Sequence, residues 1–127
     1  MSKTNHRSDR SETTLLTRIF DWNTATQRKF VRFKNEQITP GKPFNTKALF
    51  KDLPSISYLK QPERHWDVFV RFWGLNQDAE TLESIGESYG VTRERVRQMK
   101  EKMTRIMQHP SRQAAIRNNL EKLGFFF

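Results

Sequence analysis

Cysteine is absent from the chain, so neither disulfide bonds nor thiolate metal sites can stabilise the fold. Long apolar runs are absent too, since no stretch approaches the roughly twenty apolar residues that span a bilayer. The N-terminus also lacks the apolar core of a signal peptide. We therefore expect a cytoplasmic protein with no membrane partner.

Residue patterns for catalysis are equally scarce. The three histidines, His6, His65 and His109, are isolated from one another and from the carboxylates that a metal site or an acid-base pair requires. The five glycines form neither a P-loop nor a dinucleotide fingerprint. These absences argue against an enzyme, and we expect no cofactor and no metal.

Acidic residues are few compared with basic ones, at 14 against 23, which gives a formal charge of +9. This excess favours a polyanionic partner, although ribosomal and membrane-surface proteins are basic as well. The charge is uneven, because residues 1–60 hold 12 basic and 5 acidic side chains, whereas residues 61–127 hold 11 and 9. In the second half the acids concentrate at 78–87 and the bases at 93–105, so we expect one acidic and one basic face.

The hydrophobic spacing is helical in most of the chain and predicts an all-α fold, a small helical protein in four segments. Residues 1–12 are polar and form a flexible basic arm that either trails along phosphates or only aids solubility. Residues 13–60 form an N-terminal helical module of no recognised family. Residues 61–110 contain a helix-turn-helix, and residues 111–127 contain a last helix, capped by Ser111, and a phenylalanine tail.

Short helices account for the N-terminal module. The first carries grouped apolar side chains, and the second follows a Thr24 cap. A third, capped by Asn45 or Thr46, includes Leu53 and ends at Pro54. The second helix interleaves two phenylalanines with four basic residues that are candidates for extra nucleic-acid contacts: Arg28, Lys29, Arg32 and Lys34. We favour the alternative that the phenylalanines enter the core and the bases face solvent.

Between residues 62 and 75 lies the most aromatic helix of the chain. Trp66, Phe69, Val70 and Trp73 recur at i, i+3, i+4 and i+7, which is typical of a buried stripe. Val68 and Phe72 fall outside that stripe, so this helix should be covered on two sides, one of them by the N-terminal half.

The segment 82–99 has the spacing of a helix-turn-helix. Its first helix is expected to close at Ile85 and Gly86, where the small glycine permits a tight crossing, and Gly90 suits a turn with a positive backbone angle. Val91, Val96 and Met99 then pack inward. The opposite face of the second helix, which should run to Gln108 before Pro110 stops it, carries the groups that read base edges in the major groove: Arg93, Glu94, Arg97 and Gln98.

Three phrases carry a family resemblance: Thr-Leu-Glu-Ser-Ile-Gly at 81–86, Gly-Val-Thr-Arg-Glu-Arg-Val-Arg-Gln at 90–98, and His-Pro-Ser-Arg at 109–112. Over about residues 64–112 the chain resembles region 4 of housekeeping-type bacterial sigma factors. The resemblance implies binding of double-stranded DNA at a promoter minus-35 element and association with bacterial RNA polymerase, and therefore a nucleoid-associated protein.

The resemblance also implies roles for single residues. Arg93 would bind a guanine, Glu94 would accept a hydrogen bond from a cytosine, Gln98 would contact a neighbouring base and Arg97 a phosphate or base. The other expected phosphate contacts are Thr92, Arg95, Lys100, Lys102 and Arg105. Lys100 stands where the family usually has an acid, and Thr104 where it usually has an apolar residue.

No segment resembles region 2 of sigma factors, which captures the minus-10 strand, so the chain is not expected to be a complete sigma factor. It would be a split sigma subunit acting with a separate region-2-like subunit or another transcription factor, or a regulator encoded by a phage or plasmid. Two alternatives remain open. One is a polymerase-independent repressor or activator that binds as a dimer, and the other is a region-4 mimic that acts as a protein-interaction module on the polymerase.

The chain ends in three phenylalanines, Phe125, Phe126 and Phe127, which would expose a sizeable apolar patch if left in water. We expect them to fold back onto the core. The alternative is that they dock into a partner.

Overall fold

The computed structural model describes residues 12–38, 44–51, 53 and 59–127. Within these ranges the chain forms six α-helices and one 3-10 helix, without a β-strand, so the predicted all-α fold is confirmed. The helices are α1 (Glu12–Phe20), α2 (Thr24–Gln37), the 3-10 helix (Thr46–Phe50), α3 (Pro62–Trp73), α4 (Leu82–Tyr89), α5 (Arg93–Met107) and α6 (Pro110–Leu123). None of the described helices is long and apolar enough to cross a membrane.

The caps of the N-terminal helices differ in part from the prediction. Asn23, and not Thr24, caps α2, because its side-chain oxygen accepts a hydrogen bond from the Thr26 backbone N–H at 2.8 Å. Asn45 caps the 3-10 helix, as one of the two predicted alternatives had it. This helix ends at Phe50, so Leu53 lies beyond it, and Pro54 lies outside the described residues.

Helix α6 begins two residues earlier than the predicted Ser111 cap implied. Pro110 is its first residue. The missing N–H of proline has no cost there, because the first N–H of a helix has no carbonyl acceptor within the helix. The cap is His109, whose Nδ1 accepts a hydrogen bond from the Ser111 backbone N–H at 3.2 Å. Pro110 therefore opens α6 as well as following α5, and Ser111 is not the cap.

The buried apolar side chains of the described residues form one cluster that draws on every helix. Helix α3 is buried on two sides, as predicted: Phe69 and Trp73 belong to the expected stripe, while Val68 and Phe72 are buried outside it. Trp66 is half-buried at the edge of this cluster. The crossings of α3 and α4 with α5 thus share a core with the N-terminal helices.

Helix α1 packs against α5 and α2. It buries Leu15, Leu16 and Ile19, and polar side chains secure its outer edge. Arg18 bonds to Glu101 of α5 at 3.0 Å, and Gln108 donates a hydrogen bond to the Arg18 carbonyl at 2.8 Å. The N-terminal helices are thereby attached directly to the back of the helix-turn-helix.

The arm predicted at 1–12 lies outside the described residues, except for its last member. Glu12 is the first residue of α1 and not part of a flexible arm. Its carboxylate lies 2.6 Å from the Lys34 Nζ, so it helps to join α1 to α2.

The C-terminal tail folds back in part. Phe125 is buried, with its ring centroid 5.2 Å from that of Phe30 and 5.6 Å from that of Trp22. Phe127 packs edge-on against Trp22 at 5.0 Å. Phe126 points outward and is 59% exposed. The expectation that the tail folds back therefore holds for Phe125 and Phe127, and it is wrong for Phe126.

Candidate nucleic-acid interface

The crossing between α4 and α5 depends on a glycine inside the first helix. A Cβ at Gly86 would lie 2.7 Å from the Val91 carbonyl oxygen, closer than any side chain allows, so the predicted tight crossing at Gly86 is present. The predicted helix end is wrong, because α4 continues to Tyr89. Gly90 then caps α4 with a φ of +66°, which is the positive angle expected for the turn.

Helix α5 begins with a side-chain cap. The Thr92 hydroxyl accepts a hydrogen bond from the Arg95 backbone N–H at 3.1 Å, which satisfies one of the unpaired N–H groups at the helix start. Val96, Met99 and Met103 are buried along one side. Since α3, α4 and α1 all pack against α5, its orientation is held while its opposite side remains open to solvent.

The four predicted base-reading residues all lie on that open side and are exposed: Arg93, Glu94, Arg97 and Gln98. Three of them are linked. Arg97 donates two hydrogen bonds to the Glu94 carboxylate, at 2.7 and 2.9 Å, and Gln98 Nε2 lies 3.5 Å from the same group. The bonds from Arg97 hold the pKa of Glu94 below its ordinary value and raise the pKa of Arg97. A carboxylate, a guanidinium and a carboxamide therefore project together from one helix face.

Arg93 is the most accessible cation of this face, with 67% of its side chain exposed. Its nearest acid is Glu83 of α4, at 3.7 Å and even more exposed. Exposed pairs of this length stabilise little, so the guanidinium of Arg93 is available to an incoming acceptor at small cost.

The predicted phosphate contacts divide into two groups. Arg95, Lys102 and Arg105 are exposed along α5, Arg95 in its first turn after the Thr92 cap and the other two in its second half. Lys100, by contrast, is only 8% exposed, which argues against the predicted phosphate contact at that position. Lys100 follows Val96 by four residues and so falls on the buried side of α5.

The environment of Lys100 explains how a cation is tolerated there. Its Nζ lies 2.8 Å from the Glu101 carboxylate and 4.5 Å from the centre of the Phe72 ring. The hydrogen bond from Lys100 is the main reason that the pKa of Glu101 is lowered. Thr104, the other departure from the family pattern, is buried and donates its hydroxyl proton to the Lys100 carbonyl at 3.1 Å.

The basic residues of α2 do not form the stacking surface that the sequence allowed. Phe30 is fully buried, so it cannot stack on a base. Lys34 is only 17% exposed and pairs with Glu12, which contradicts a nucleic-acid contact at that position. Arg28, Lys29 and Arg32 are exposed, as the favoured amphipathic interpretation requires.

Arg71 of α3 is a positioning residue that the sequence did not reveal. It donates two hydrogen bonds to Glu80, both at 2.8 Å, and one to the Ser88 hydroxyl at 2.8 Å. The hydrogen bonds with Glu80 raise the pKa of Arg71 and lower that of Glu80. Arg71 thereby ties α3 to the turn before α4 and to α4 itself. The i, i+4 spacing of Asp67 and Arg71 was the one local signal for this network.

Tyr89 completes the network at the end of α4. Its hydroxyl donates a short hydrogen bond to Asp67, and the Arg64 guanidinium lies 4.7 Å from its ring centre. Burial, followed by the bond to Asp67, raises the pKa of Tyr89. The helix-turn-helix is therefore held to α3 at both ends of α4.

Two of the three histidines have structural hydrogen bonds. His65 is buried with its Nδ1 2.9 Å from the Gln61 carbonyl, and His109 caps α6. His6 lies outside the described residues. His65 and His109 thus both bond to backbone groups of their own helix starts.

Comparison with known proteins agrees with this geometry. The family model "Sigma-70, region 4" matches residues 62–105, a range that contains α3, α4 and most of α5. The His-Pro-Ser-Arg phrase at 109–112 lies outside the match. No solved structure matches the chain significantly.

Several curated relatives carry the description "RNA polymerase sigma factor SigA". The protein from Listeria monocytogenes is 49% identical over 60 residues, which cover 46% of this chain and 16% of the relative. The one from a Bacillus species is 42% identical over 60 residues, with the same coverage. The one from Synechocystis is 35% identical over 80 residues, which cover 62% of this chain and 19% of the relative.

The chain thus spans less than a fifth of the length of these relatives. The family match nevertheless covers α3, α4 and most of α5, the helices that form the crossing and the open face. The predicted resemblance to region 4 of sigma factors is confirmed for this segment, residues 62–105, where the structure has a helix-turn-helix.

Proposed function

We propose that the chain is a transcription factor that binds duplex DNA with α5 in the major groove and recognises a minus-35-like promoter element. The observation that carries this proposal is the joint exposure of Arg93, Glu94, Arg97 and Gln98 on one face of a capped and well-packed helix. An α-helix fits the major groove, and these residue types match the donors and acceptors that base edges present there.

Each side chain suits a particular contact. Arg93 is free to place its fork on guanine O6 and N7, and Glu94 accepts from a cytosine amino group. Arg97 keeps the Glu94 carboxylate on the reading face before DNA arrives, so less side-chain entropy is lost on binding. The N-terminus of α5 with Thr92 offers backbone N–H groups and a hydroxyl to a phosphate. Arg95, Lys102 and Arg105 extend these phosphate contacts.

The test compares binding of two duplexes by gel shift: one selected by the full chain from a random library, and a scrambled version. Arg93→Ala should weaken binding of the selected duplex by about 1–3 kcal/mol and relax the preference at one base pair. Arg117→Ala, which removes an exposed arginine of α6, is the matched control and should change little. Equal weakening by Arg93→Ala on both duplexes would contradict base reading.

Phosphate contacts predict a separate effect on salt dependence. Lys102→Ala or Arg105→Ala should weaken both duplexes alike and reduce the slope of log K against log salt by about 1. Lys100→Ala should leave that slope unchanged, because the Lys100 ammonium is buried beside Glu101. A reduced slope for Lys100→Ala would show that Lys100 contacts a phosphate.

Association with bacterial RNA polymerase is part of the proposal, supported by the description of the relatives as RNA polymerase sigma factors. The full chain, mixed with purified bacterial core polymerase, should co-elute with it on gel filtration. On its own it should elute as a monomer of 15.2 kDa. A stable dimer that ignores polymerase and selects a palindromic site would instead favour the free repressor or activator.

A further inference from the structure

We propose that the groove between α2 and the C-terminal tail binds a short acidic peptide segment of a protein partner, with one aromatic or aliphatic side chain inserted as an anchor. The groove has a volume of about 230 Å³, which is room for one large side chain. It involves none of the α5 residues assigned to DNA under the proposed function, so it does not rest on that function.

The first wall of the groove is a face of α2. Lys29, Arg32, Phe33 and Glu36 line it, and their i, i+3, i+4, i+7 spacing places them on one side of the helix. The second wall is the tail segment 124–126. The two walls bring together an apolar base and a mostly cationic rim.

The tail presents its exposed ring in a defined position. Phe125 and Phe127 on either side of Phe126 pack against Trp22, which anchors the segment. Lys29 Nζ donates a hydrogen bond to the Phe126 carbonyl at 2.6 Å, which fixes the backbone between them. The Phe126 ring is therefore held outward at the edge of the groove, and a ligand need not order it on binding.

Charge complementarity selects an acidic segment. Lys29 and Arg32 are exposed at the groove, and Arg28, four residues before Arg32, extends the basic edge. The Lys29 ammonium and the Arg32 guanidinium come from positions three residues apart on one helix face. They can therefore pair with carboxylate side chains on either side of an apolar anchor. The phenylalanine rings at the base of the groove then exclude water from the anchor side chain, as apolar residues do at the centre of other protein interfaces.

A nucleic-acid strand fits the same groove less well. Glu36 lines it, so a phosphate chain following Lys29 and Arg32 would meet a carboxylate. Phe30 is buried and Phe33 is half-buried, so Phe126 is the one exposed ring at this groove, whereas strand-binding surfaces stack successive bases on several rings. These features favour the peptide.

The probe is a fluorescein-labelled ten-residue synthetic peptide of Asp and Glu with a central Phe-Leu pair, titrated with the full chain and followed by anisotropy. Arg32→Glu should weaken binding about tenfold or more, and Phe126→Ala about fivefold. Two control variants should stay within about twofold of the wild type. They are Lys47→Glu, an equal charge change outside the groove, and Val31→Ala, an exposed apolar residue of α2 outside the groove.

Further arms identify the ligand class and separate the two proposals. A peptide with Ala-Ala in place of Phe-Leu, and one with Lys in place of the acids, should each lose binding. Binding of the selected duplex should be unchanged in Phe126→Ala, which separates this site from the DNA face. The proposal is overturned if the peptide does not bind, or if Arg32→Glu and Phe126→Ala bind it as well as the wild type does. It is also overturned if a single-stranded oligonucleotide displaces the peptide and its own binding is weakened more than that of the peptide by Phe126→Ala.

Discussion

Helices α2 and α5 have similar composition but use their cations differently. Both are long helices rich in Lys and Arg with a cap at the first turn. In α5 the arginines of the open face make exposed ion pairs, Arg97 with Glu94 of the same helix and Arg93 with Glu83 of α4. In α2 two of the four candidate cations hold other parts of the fold, since Lys34 pairs with Glu12 and Lys29 binds the Phe126 carbonyl.

The difference arises from packing. Helix α5 has neighbours on several sides, α3, α4, α1 and α6, so its orientation is determined by apolar side chains, and its polar face is left for a ligand. Helix α2 packs mainly on α1 and on the aromatic tail, and its polar side chains contribute to these attachments. A run of basic residues therefore predicts a binding face only where other side chains already hold the helix.

The largest expected effect tests whether the two regions share one core. Phe30→Ala in α2 should lower the free energy of unfolding by about 3–5 kcal/mol, because it removes a fully buried ring. Urea unfolding followed by both far-UV circular dichroism and tryptophan fluorescence should still give one coincident transition. Phe126→Ala, the matched control, should cost less than about 1 kcal/mol because that ring is mostly exposed. Two separate transitions in the wild type would show that α2 and the helix-turn-helix fold independently.

A smaller effect is expected at the two glycines of the helix-turn-helix. Gly86→Ala should cost about 2–3 kcal/mol, because the new methyl would meet the Val91 carbonyl and force α4 and α5 apart. Gly90→Ala should cost only about 1–2 kcal/mol, from its positive φ, since a Cβ there meets no atom within 4 Å. Denaturant melts measure both. If Gly90→Ala lowers the free energy of unfolding more than Gly86→Ala does, Gly86 is not as close to the Val91 carbonyl as the structure shows.

The open face of α5 could be predicted from the sequence because it depends on local rules. The helical repeat determines that Val96, Met99 and Met103 share one side, so that Arg93 and Arg97 fall on the other. The cap at Thr92 and the turn at Gly90 follow from single residue types. These features need no knowledge of distant parts of the chain.

The misjudged residues depend on distant contacts. Lys100 looked like a surface cation, but its place on the buried side of α5 puts it over Phe72, a residue of another helix. Arg71 and Glu80 meet only because the turn after α3 returns the chain to α3. The split in the tail, with Phe126 out and its neighbours in, depends on where Trp22 and Phe30 stand. No local pattern specifies these distances.

The side-chain caps of α2 and α5 provide a matched pair of substitutions that compares the two basic helices. Thr92→Ala and Asn23→Ala should each cost about 1 kcal/mol in urea unfolding, because each removes one side-chain bond to a backbone N–H. Thr92→Ala should also weaken binding of the selected duplex, whereas Asn23→Ala should leave it unchanged. Thr92→Ser keeps the hydroxyl and should restore both properties. If Asn23→Ala weakens DNA binding as much as Thr92→Ala, α2 takes part in the DNA interface.

The smallest effect concerns the ion pair that positions α4, Arg71 with Glu80. The Arg71 hydrogen bonds lower the pKa of Glu80 in the folded state from its ordinary value of 4.5. A lowered pKa means that the pair stabilises the fold above about pH 4.5 and that this contribution is lost as the pH falls through the folded-state value. Glu80→Gln should therefore cost up to about 1 kcal/mol at pH 7, since the pair is partly exposed, and progressively less in acid. Urea melts of both proteins between pH 7 and pH 3 measure the difference, which should shrink towards low pH. A difference that stays constant with pH would mean that Glu80 acts through its shape or neutral hydrogen bonds and not through its charge.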